Sequence, residues 1–527
     1  LEVLKLLQES YLGKVKMIYI DPPYNTGKDT FVYFDQFEMD KDEYNEGISR
    51  YDENGNLNFS QNPETNARFH SAWCSMIYPC LLLSRNLLAN DGVIFISIDN
   101  HEVDNMLKIC DEIFGTANRI ACIVNVNNPK GRSDEKNIAT AHEYIVVYQK
   151  NEAILSGFEP EENVTRRYNK VDKEGNRYRY IDLRKTGDSD RREDRPKMFY
   201  YFYFHQATGE FYPSYDERTP DGWIKIVPMK DDGSFGRWRV GIETAESRKE
   251  LLEPTYMSVK KRWTVMERDY LSDDLRVKAT TAWTFKDLNS ERGTEQFVDL
   301  GFDKNIFPRP KPLGTILRPL LLSTKKGDVV LDFFSGSSTT AHAVMQLNAE
   351  DGGNRRFIMV QIPEPCDEKS EAYKAGYRNI CEIGKERIRR AGEKIKADSP
   401  LTTAHLDVGF RVFKLADSNM KDVYYAADEL DQQTLADMVS NIKEDRTALD
   451  LFFGCLLDWG LPLSMPYHSE EIDGCTVHTY NDGDLIACFD KNIPESVVKE
   501  IAKRKPLRAV FRDAGFADSP AKINVFE

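Results

Sequence analysis

The segment Asp21–Tyr24 (Asp-Pro-Pro-Tyr) combines residue types that could do chemistry. It follows the apolar run 16–20, which is predicted to be a buried strand that the two prolines end. A carboxylate and a proline carbonyl can both accept the N–H protons of an exocyclic amine, which makes its nitrogen a better nucleophile. The ring of Tyr24 offers a face to an unstacked base. These four residues therefore indicate transfer to an amine on a base ring, with a strand-ending turn around a packed tyrosine as the alternative.

A second segment, 331–340, is predicted to be a buried strand, a loop of small residues and the start of a helix. Such a loop lets a ligand approach the backbone, and the helix start supplies free N–H groups. The segment has neither the G-x-G-x-x-G of a dinucleotide site nor the G-K-[ST] of a phosphate loop. A nucleoside with an amino-acid tail, such as S-adenosylmethionine, is therefore the favoured ligand over a plain structural loop.

The elements around both segments alternate in the manner of an α/β sheet. Apolar spacing predicts helices over 70–90, 101–114, 338–347 and 371–397. Apolar runs predict strands over 16–20, 93–98, 143–148, 329–334 and 357–361. A turn is predicted at Asp91-Gly92. Periodicity weakens between 151 and 300, which indicates an insertion and gives four predicted regions: 1–150, 151–298, 299–398 and 399–527.

The charge distribution bears on nucleic-acid binding. The chain has 71 basic and 86 acidic residues, a net charge of −15, which argues against indiscriminate binding to nucleic acid. Residues 166–198, however, hold 12 basic and 7 acidic side chains with interleaved tyrosines, and an aromatic run, 199–204, follows. This favours phosphate and base contact, against the alternative of a solvated loop before a buried aromatic strand. The candidate contacts are Arg166, Arg167, Arg177, Arg179, Arg184 and Lys185.

Several classes of protein are disfavoured by the sequence. The nine cysteines are scattered and never spaced C-x-x-C, which argues against disulfides and zinc ribbons and favours the cytoplasm. No apolar run is long enough for a membrane span. His142-Glu143 lacks the second histidine of H-E-x-x-H, so no metal site is expected there. The chain starts at Leu1 and ends on the apolar-rich Ile523–Glu527, so we expect a fragment.

Taken together, the two motifs resemble those of DNA amino-methyltransferases of the β class, in which the catalytic motif precedes the cofactor loop. The longer matching stretches resemble the modification subunit of type III restriction-modification systems, over nearly the whole chain except 151–300. Those stretches are 18–27, 70–102, 305–317, 330–344, 355–364 and 450–462.

The resemblance implies a role for each matching residue. Asp21, Pro22, Pro23 and Tyr24 would hold the flipped adenine. The cofactor would be bound by Asn25, Phe307, Lys311, Pro312, Asp332, Phe334, Gly336, Ser337, Thr339 and Thr340, with Gln361 or Glu364 accepting from the ribose hydroxyls. Many relatives have glycine where Ser338 stands, a position at which tight backbone geometry is expected.

The implied fold is a Rossmann-like, S-adenosylmethionine-dependent methyltransferase fold of the α/β class with circularly permuted motif order. The insert 151–298 would be a target-recognition domain. The acidic region 399–527 would be an α+β domain for dimerisation or for docking a restriction helicase-nuclease subunit. The implied partners are double-stranded DNA, a second copy of the chain and that restriction subunit, with no membrane. The amine would attack the sulfonium methyl directly, without a metal.

Three alternatives remain at this stage. A cytosine-N4 methyltransferase uses the same chemistry, although such enzymes often have Ser in place of Asp21. A non-catalytic specificity subunit would only bind DNA and position a partner, but an intact Asp21–Tyr24 argues against it. RNA as the substrate is the third.

Overall fold

A computed structural model describes residues 1–27, 30–31, 60–61, 68–131, 137–421 and 442–516. These form two compact units, one of Leu1–Ser156 with Thr280–Glu527 and one of Gly157–Ala279. The second unit lies within the predicted insert 151–298 and is shorter at both ends. The described residues after 398 group with the first unit. The chain end Ile523–Glu527, on which the expectation of a fragment partly depends, lies outside the described residues.

The described strands are, in chain order, β1 (Val15–Ile20), β2 (Thr30–Phe31), β3 (Ser60–Gln61), β4 (Leu88–Ile98), β5 (Arg119–Asn125), β6 (Glu143–Gln149), β7 (Lys170–Val171), β8 (Arg177–Asp182), β9 (Tyr201–Phe204), β10 (Phe211–Ser214), β11 (Ile224–Ile226), β12 (Leu252–Met257), β13 (Arg262–Tyr270), β14 (Ala282–Trp283), β15 (Val329–Asp332), β16 (Arg356–Met359), β17 (Tyr467–Ile472), β18 (Cys475–Tyr480), β19 (Leu485–Cys488) and β20 (Ala509–Phe511). The described helices are α1 (Glu2–Tyr11), α2 (Phe69–Leu87), α3 (Val103–Phe114), α4 (Glu162–Thr165), α5 (Ile242–Ser247), α6 (Ser290–Asp299), α7 (Leu313–Ser323), α8 (Thr339–Asp351), α9 (Glu371–Lys374), α10 (Ile380–Asp398), α11 (Ala448–Asp458) and α12 (Glu495–Lys503).

The large unit is built on a seven-stranded sheet in the order β14-β5-β6-β4-β1-β15-β16. Strands β4, β1, β15 and β16 run parallel, whereas β6 is antiparallel to both of its neighbours. Ile18 of β1 pairs with Ile94 on one side and with Leu331 on the other. The carboxyl ends of β1 and β15 are therefore adjacent, which brings the two chemical segments of the sequence to one edge of the sheet.

Both faces of this sheet are buried, which explains its nearly continuous apolar strands. Ile18 and Ile20 pack into one core with α1, α2 and α3. The alternate residues Met17 and Tyr19 point to the opposite face and are also buried. A further core joins α6, α8 and α10. Helices on both faces of a mostly parallel sheet are the α/β architecture that was predicted.

Two predicted boundaries are wrong, each for a local reason. The turn expected at Asp91-Gly92 lies inside β4, where the pairing with β1 jumps from Val15–Leu88 to Met17–Val93 and forms a bulge. The helix expected over 371–397 is divided into α9 and α10. Gly376 adopts a left-handed φ of 98° between them, and the side chain of Asn379 caps α10 by accepting a hydrogen bond from the backbone N–H of Glu382.

The inserted unit contains two sheets, β10-β9-β11 and β12-β13-β8-β7. The aromatic run 199–204 contains β9, and its side chains pack around Trp238 and against each other. Tyr200 and Phe202 are fully buried. The run therefore forms a buried aromatic strand, which was the alternative to base contact, and its rings are not placed to stack on bases.

The C-terminal part is a mixed α and β layer, with the sheet β17-β18-β19-β20 beside α11 and α12. A capping box between Thr447 and Asp450 begins α11. None of the helices in the described ranges is both long enough and apolar enough to cross a membrane.

We expect Gly293→Ala to destabilise the large unit, because a Cβ at this position of α6 would lie 1.9 Å from the backbone oxygen of Pro310. Backbone cannot yield cheaply, so the cost is expected to be about 1–3 kcal/mol. Thermal unfolding followed by circular dichroism measures it. Gly241→Ala is the control, since a Cβ there meets nothing within 4 Å. Equal unfolding temperatures for the two variants would contradict the close approach.

Candidate active site

The loop after β1 is held from two sides. The indole N–H of the fully buried Trp73 donates a hydrogen bond of 2.7 Å to the backbone oxygen of Pro23. Asn25 has a left-handed φ of 58° and is buried, and its amide donates to the backbone oxygen of Phe69 at 3.2 Å and to Glu102 at 2.6 Å. The segment that carries Asp21 and Tyr24 is thus fixed to α2 at its far end.

Glu102 is the centre of that attachment. Its carboxylate is 1% exposed, and besides Asn25 it accepts a hydrogen bond from the Asn105 amide at 2.7 Å and contacts His70 Nδ1 at 2.6 Å. Asn25, a predicted cofactor residue, lies in this network. Three polar groups around one buried carboxylate satisfy it without exposing it to water.

A cluster of charges lies at the same edge of the sheet. The ammonium of Lys311 is 2.7 Å from Glu143 Oε2, 2.6 Å from the Tyr24 hydroxyl and 3.3 Å from Asp21 Oδ1. The Tyr24 hydroxyl donates to Glu143 at 3.0 Å, and the Asn125 amide donates to the other oxygen of Glu143, also at 3.0 Å. Lys311, predicted to contact the cofactor, therefore lies between two carboxylates.

Burial controls the charge states in this cluster. It raises the pKa of Asp21 above its ordinary value, and Glu143 raises it further while Lys311 acts in the opposite direction. Burial disfavours the charged form of Lys311, but Asp21 and Glu143 outweigh it, so the pKa of Lys311 is raised and the ammonium stays charged. Burial, with Asp21 and Glu143, raises the pKa of Tyr24 well above 10, so its hydroxyl is a neutral donor.

Asp21 is the more open of the two carboxylates. Its side chain is 30% exposed, against 7% for Glu143. Asp21 Oδ1 is itself buried and lies 3.3 Å from the Lys311 ammonium, so the exposed part of this side chain lies outside that atom. An acceptor with a raised pKa is therefore available at the end of a buried strand, which suits a group that takes a proton from a bound amine.

The neighbouring strand β15 ends in a tightly bonded loop. Asp332 accepts from the backbone N–H of Phe334 at 3.0 Å and from the Thr340 hydroxyl at 2.6 Å. Burial raises the pKa of Asp332 to about 7, while these two hydrogen bonds lower it. Asp332 is 3% exposed, so its contacts shape the loop from inside.

Two more predicted cofactor residues support the loop. Gln361 accepts from the backbone N–H of Gly336 at 2.6 Å. A Cβ on Gly336, whose φ is 47°, would lie 3.5 Å from the ring of Phe307. Ser338 has a left-handed φ of 61°, and Gly384 of α10 passes so close that a Cβ there would be 2.6 Å from its hydroxyl. The tight backbone geometry expected at Ser338 is what the structure has.

Arg387 of α10 lies behind this loop. It is 0% exposed, and its Nη1 donates to the hydroxyls of Ser337 at 2.8 Å and Thr339 at 2.5 Å. Its Nε and Nη2 have no hydrogen-bond partner among the described residues. Burial lowers the pKa of Arg387 to about 9. The loop thus covers a cation that no described carboxylate pairs with.

The sequence predicted part of this site and missed part of it. Asp21, Tyr24, Lys311 and the 332–340 loop are brought to one edge, and Pro312 directly precedes α7. The missed residues are Glu143, Glu102 and Arg387. A signal existed for two of them: Glu143 begins an otherwise apolar strand, and Arg387 shares the helical spacing of the buried Ile383 and Ala391. A charge on a buried face needs a functional or ionic partner.

The candidate nucleic-acid contacts all lie in the inserted unit but differ in their surroundings. Arg166 is paired with Glu162 at 2.8 Å, and Arg177 donates to the backbone oxygens of Thr165 and Tyr168. Arg167 is exposed. A groove is lined by Arg179, Ile181, Asp182, Arg184, Lys185, Thr186 and Arg239.

The cations of this groove are not equivalent. Arg179 pairs with Asp269 at 2.7 Å, and Arg184 lies 3.9 Å from Asp182. Lys185 donates to the backbone oxygen of Thr186, and no ion pair of Lys185 occurs within the ranges described. Its charge is therefore the least compensated of those in the groove.

One potential metal-ligand group occurs elsewhere in the described residues. Ligand atoms of Cys475, Cys488 and Asp490 lie within 4.8 Å of one another in the C-terminal sheet. All nine cysteines are free thiols, and burial raises the pKa of Cys475 and raises that of Cys488 to about 11.

Several known proteins are similar to this chain in amino-acid sequence. The Mod subunit of the type III restriction-modification enzyme EcoPI from Escherichia phage P1 is 33% identical over 487 residues, 91% of this chain and 74% of that protein. The EcoP15I Mod subunit from Escherichia coli is 32% identical over 551 residues, 98% of this chain and 80% of its own. The type II methyltransferase M.KpnI from Klebsiella pneumoniae is 33% identical over 377 residues, 71% and 81% of the two chains.

The match to a solved structure, that of M1.HpyAVI with SAM, covers 73% of this chain and 94% of the other chain at 13% identity, with a TM-score of 0.28. The family model N6_N4_Mtase, described as DNA methylase, matches residues 15–389, which include β1, β15 and the whole site. The predicted resemblance is confirmed, and the chain belongs to the N6/N4 family of DNA methylases.

Proposed function

We propose that this DNA methyltransferase modifies the N6 amine of a flipped-out adenine, with S-adenosylmethionine as the methyl donor, as the modification subunit of a type III restriction-modification system. The observation that carries the proposal is the buried cluster of Asp21, Glu143, Lys311 and Tyr24 beside the 332–340 loop. The names of three of the relatives identify them as Mod subunits of type III restriction-modification enzymes, which supports the type III assignment.

The chain's own residues orient and polarise the amine. The carboxylate of Asp21 accepts one of its N–H protons, which concentrates the electron pair on nitrogen. Tyr24 follows the two prolines, where its ring can pack against an extruded base. The nitrogen loses one proton when it gains the methyl group, and the raised pKa of Asp21 suits it to accept that proton. The positive charge of Lys311 offsets the repulsion between the carboxylates of Asp21 and Glu143.

S-adenosylmethionine supplies a sulfonium methyl that is already electrophilic, so the reaction needs no metal. The residues that would hold it are those of the loop between β15 and α8, with Phe307 packed on Gly336. The fit is supported by Arg387, a buried cation beneath the loop that lacks an anion among the described residues. Because Gln361 already binds the backbone of Gly336, we assign the ribose acceptor to Glu364.

Adenine is preferred over cytosine as the target because Asp21 stands where cytosine-N4 enzymes often have serine. Cytosine N4 remains the second candidate because the family includes both chemistries.

We expect methyl transfer from labelled S-adenosylmethionine to duplex DNA to yield N6-methyladenine on nucleoside analysis. Asp21→Ala and Asp21→Asn are each expected to lower the single-turnover rate by about 10²–10³-fold, because alanine removes the acceptor and the asparagine amide cannot take up the proton. N4-methylcytosine as the product would favour the second candidate. Cofactor binding without any product, even with a restriction subunit added, would favour the non-catalytic reading.

The acid limb of the pH profile of the single-turnover rate should move in opposite directions in Lys311→Met and Glu143→Gln. Lys311 lowers the pKa of Asp21 and Glu143 raises it. Activity requires ionised Asp21 and is lost as pH falls through its pKa. Lys311→Met therefore shifts the limb to higher pH, and Glu143→Gln shifts it to lower pH. Lys304→Met, an exposed charge change, is the control. A common direction for both variants would be inconsistent with this assignment.

We further propose that the inserted unit recognises the target sequence, with the cationic groove as a phosphate contact. The support is the cluster of cations in the groove and the uncompensated charge of Lys185. Arg167 is a second exposed candidate.

Residues 399–527 remain our candidate for dimerisation or for docking a restriction subunit, supported by their net acidic charge, which disfavours phosphate contact.

Lys185→Ala is expected to weaken DNA binding equally on all sequences and to reduce the salt dependence of the affinity, by about 0.9 in the log–log slope per lost phosphate contact. Fluorescence anisotropy at several salt concentrations measures both. Arg166→Ala is the matched control, because Glu162 already compensates that exposed charge. If the two variants had the same slope, Lys185 would not be a phosphate contact.

A further inference from the structure

The guanidinium of Arg387 is the described charge whose burial is hardest to explain from the chain alone. Taking a cation out of water is costly unless an anion or a full set of hydrogen bonds compensates it. Arg387 is 0% exposed and has only two hydroxyl partners, Ser337 and Thr339. Two of its nitrogens, Nε and Nη2, have no partner within the described ranges. Its nearest ring, that of Phe297, is 5.6 Å from the guanidinium carbon and brings no charge.

Arg387 orients the hydroxyls of Ser337 and Thr339. A hydroxyl oxygen that accepts from a guanidinium directs its own proton elsewhere. Ser337 and Thr339 therefore both present O–H donors away from Arg387, and the described residues offer no acceptor for either proton. Thr339 is also the first residue of α8, a helix of 13 residues whose first turn no side chain caps. Free N–H groups and two oriented O–H groups thus converge at one helix start.

We propose that Arg387 is the buried counter-charge for the carboxylate of the cofactor's amino-acid tail, which Ser337 and Thr339 contact at the start of α8. This deepens the proposed function and rests on it, since the ligand is S-adenosylmethionine. Arg387 acts through the two hydroxyls and is a positioning residue. A bound carboxylate would supply the anion that this end of the loop lacks, and the low pKa of Arg387, about 9 without it, would rise.

The test compares two ligands that differ only in that carboxylate: S-adenosylmethionine and decarboxylated S-adenosylmethionine. Isothermal titration calorimetry gives the dissociation constant of each for the full chain. The wild type is expected to bind the first ligand about 10- to 100-fold more tightly, the range for a hydrogen-bonded charge. Arg387→Met is expected to lose most of this ratio by weakening only the binding of S-adenosylmethionine.

Two further variants make the test decisive. Arg389→Met removes an exposed arginine of the same helix and should keep the wild-type ratio. Arg387→Lys retains the charge, so it should keep part of the ratio and remains informative if Arg387→Met fails to fold. Equal weakening of both ligands would show that Arg387 only supports the loop, and would overturn the inference.

The outcomes also separate this inference from the proposed function. A wild type that binds neither ligand would refute the cofactor assignment itself and the inference with it. A wild type that binds both equally would leave methyl transfer in place and refute only the carboxylate subsite. A ratio that falls in the Arg387 variants and not in Arg389→Met would support it.

Discussion

A single buried ammonium, that of Lys311, lies between two carboxylates, and the rest of the site depends on this arrangement. Asp21 directly follows β1, Glu143 begins β6, and Lys311 comes from the segment before α7. Two carboxylates so close would repel each other strongly in surroundings of low polarity. Without the ammonium, one of them would have to bind a proton or move away. The cation therefore permits an ionised acceptor to remain at the end of a buried strand.

The sheet order explains how three distant parts of the chain reach this point. β1 and β15 are neighbours in the parallel part, so the amine acceptor and the cofactor loop share one edge. β6 runs antiparallel on the far side of β4, and its first residue, Glu143, reaches the same edge for that reason. Close backbone approaches then set the loops, as at Gly293 against Pro310 and Gly384 against Ser338. The positions of the charges follow from backbone packing.

The sequence predicts those features that are local. The apolar runs identify the main strands, and the residues after β1 and β15 identify the chemistry. What it cannot predict is pairing at long range. Glu143 is separated from Lys311 by 168 residues and from Tyr24 by 119, so their contact depends on the strand order. Arg387 reaches a loop 50 residues earlier because α10 packs on α8. The same limit applies to Lys311, which the resemblance assigns to the cofactor and the structure places between carboxylates.

Non-additivity between Lys311 and Glu143 would show whether the ammonium balances the two carboxylates. Single-turnover methyl transfer would be measured at one pH for the wild type, Lys311→Met, Glu143→Gln and the variant with both changes. If the ammonium serves to balance two carboxylates, removing Glu143 as well should relieve the defect of Lys311→Met, and the double variant should be faster than Lys311→Met alone. A double variant no faster than Lys311→Met alone would contradict this role of the ammonium, because the defect of Lys311→Met would then not depend on Glu143.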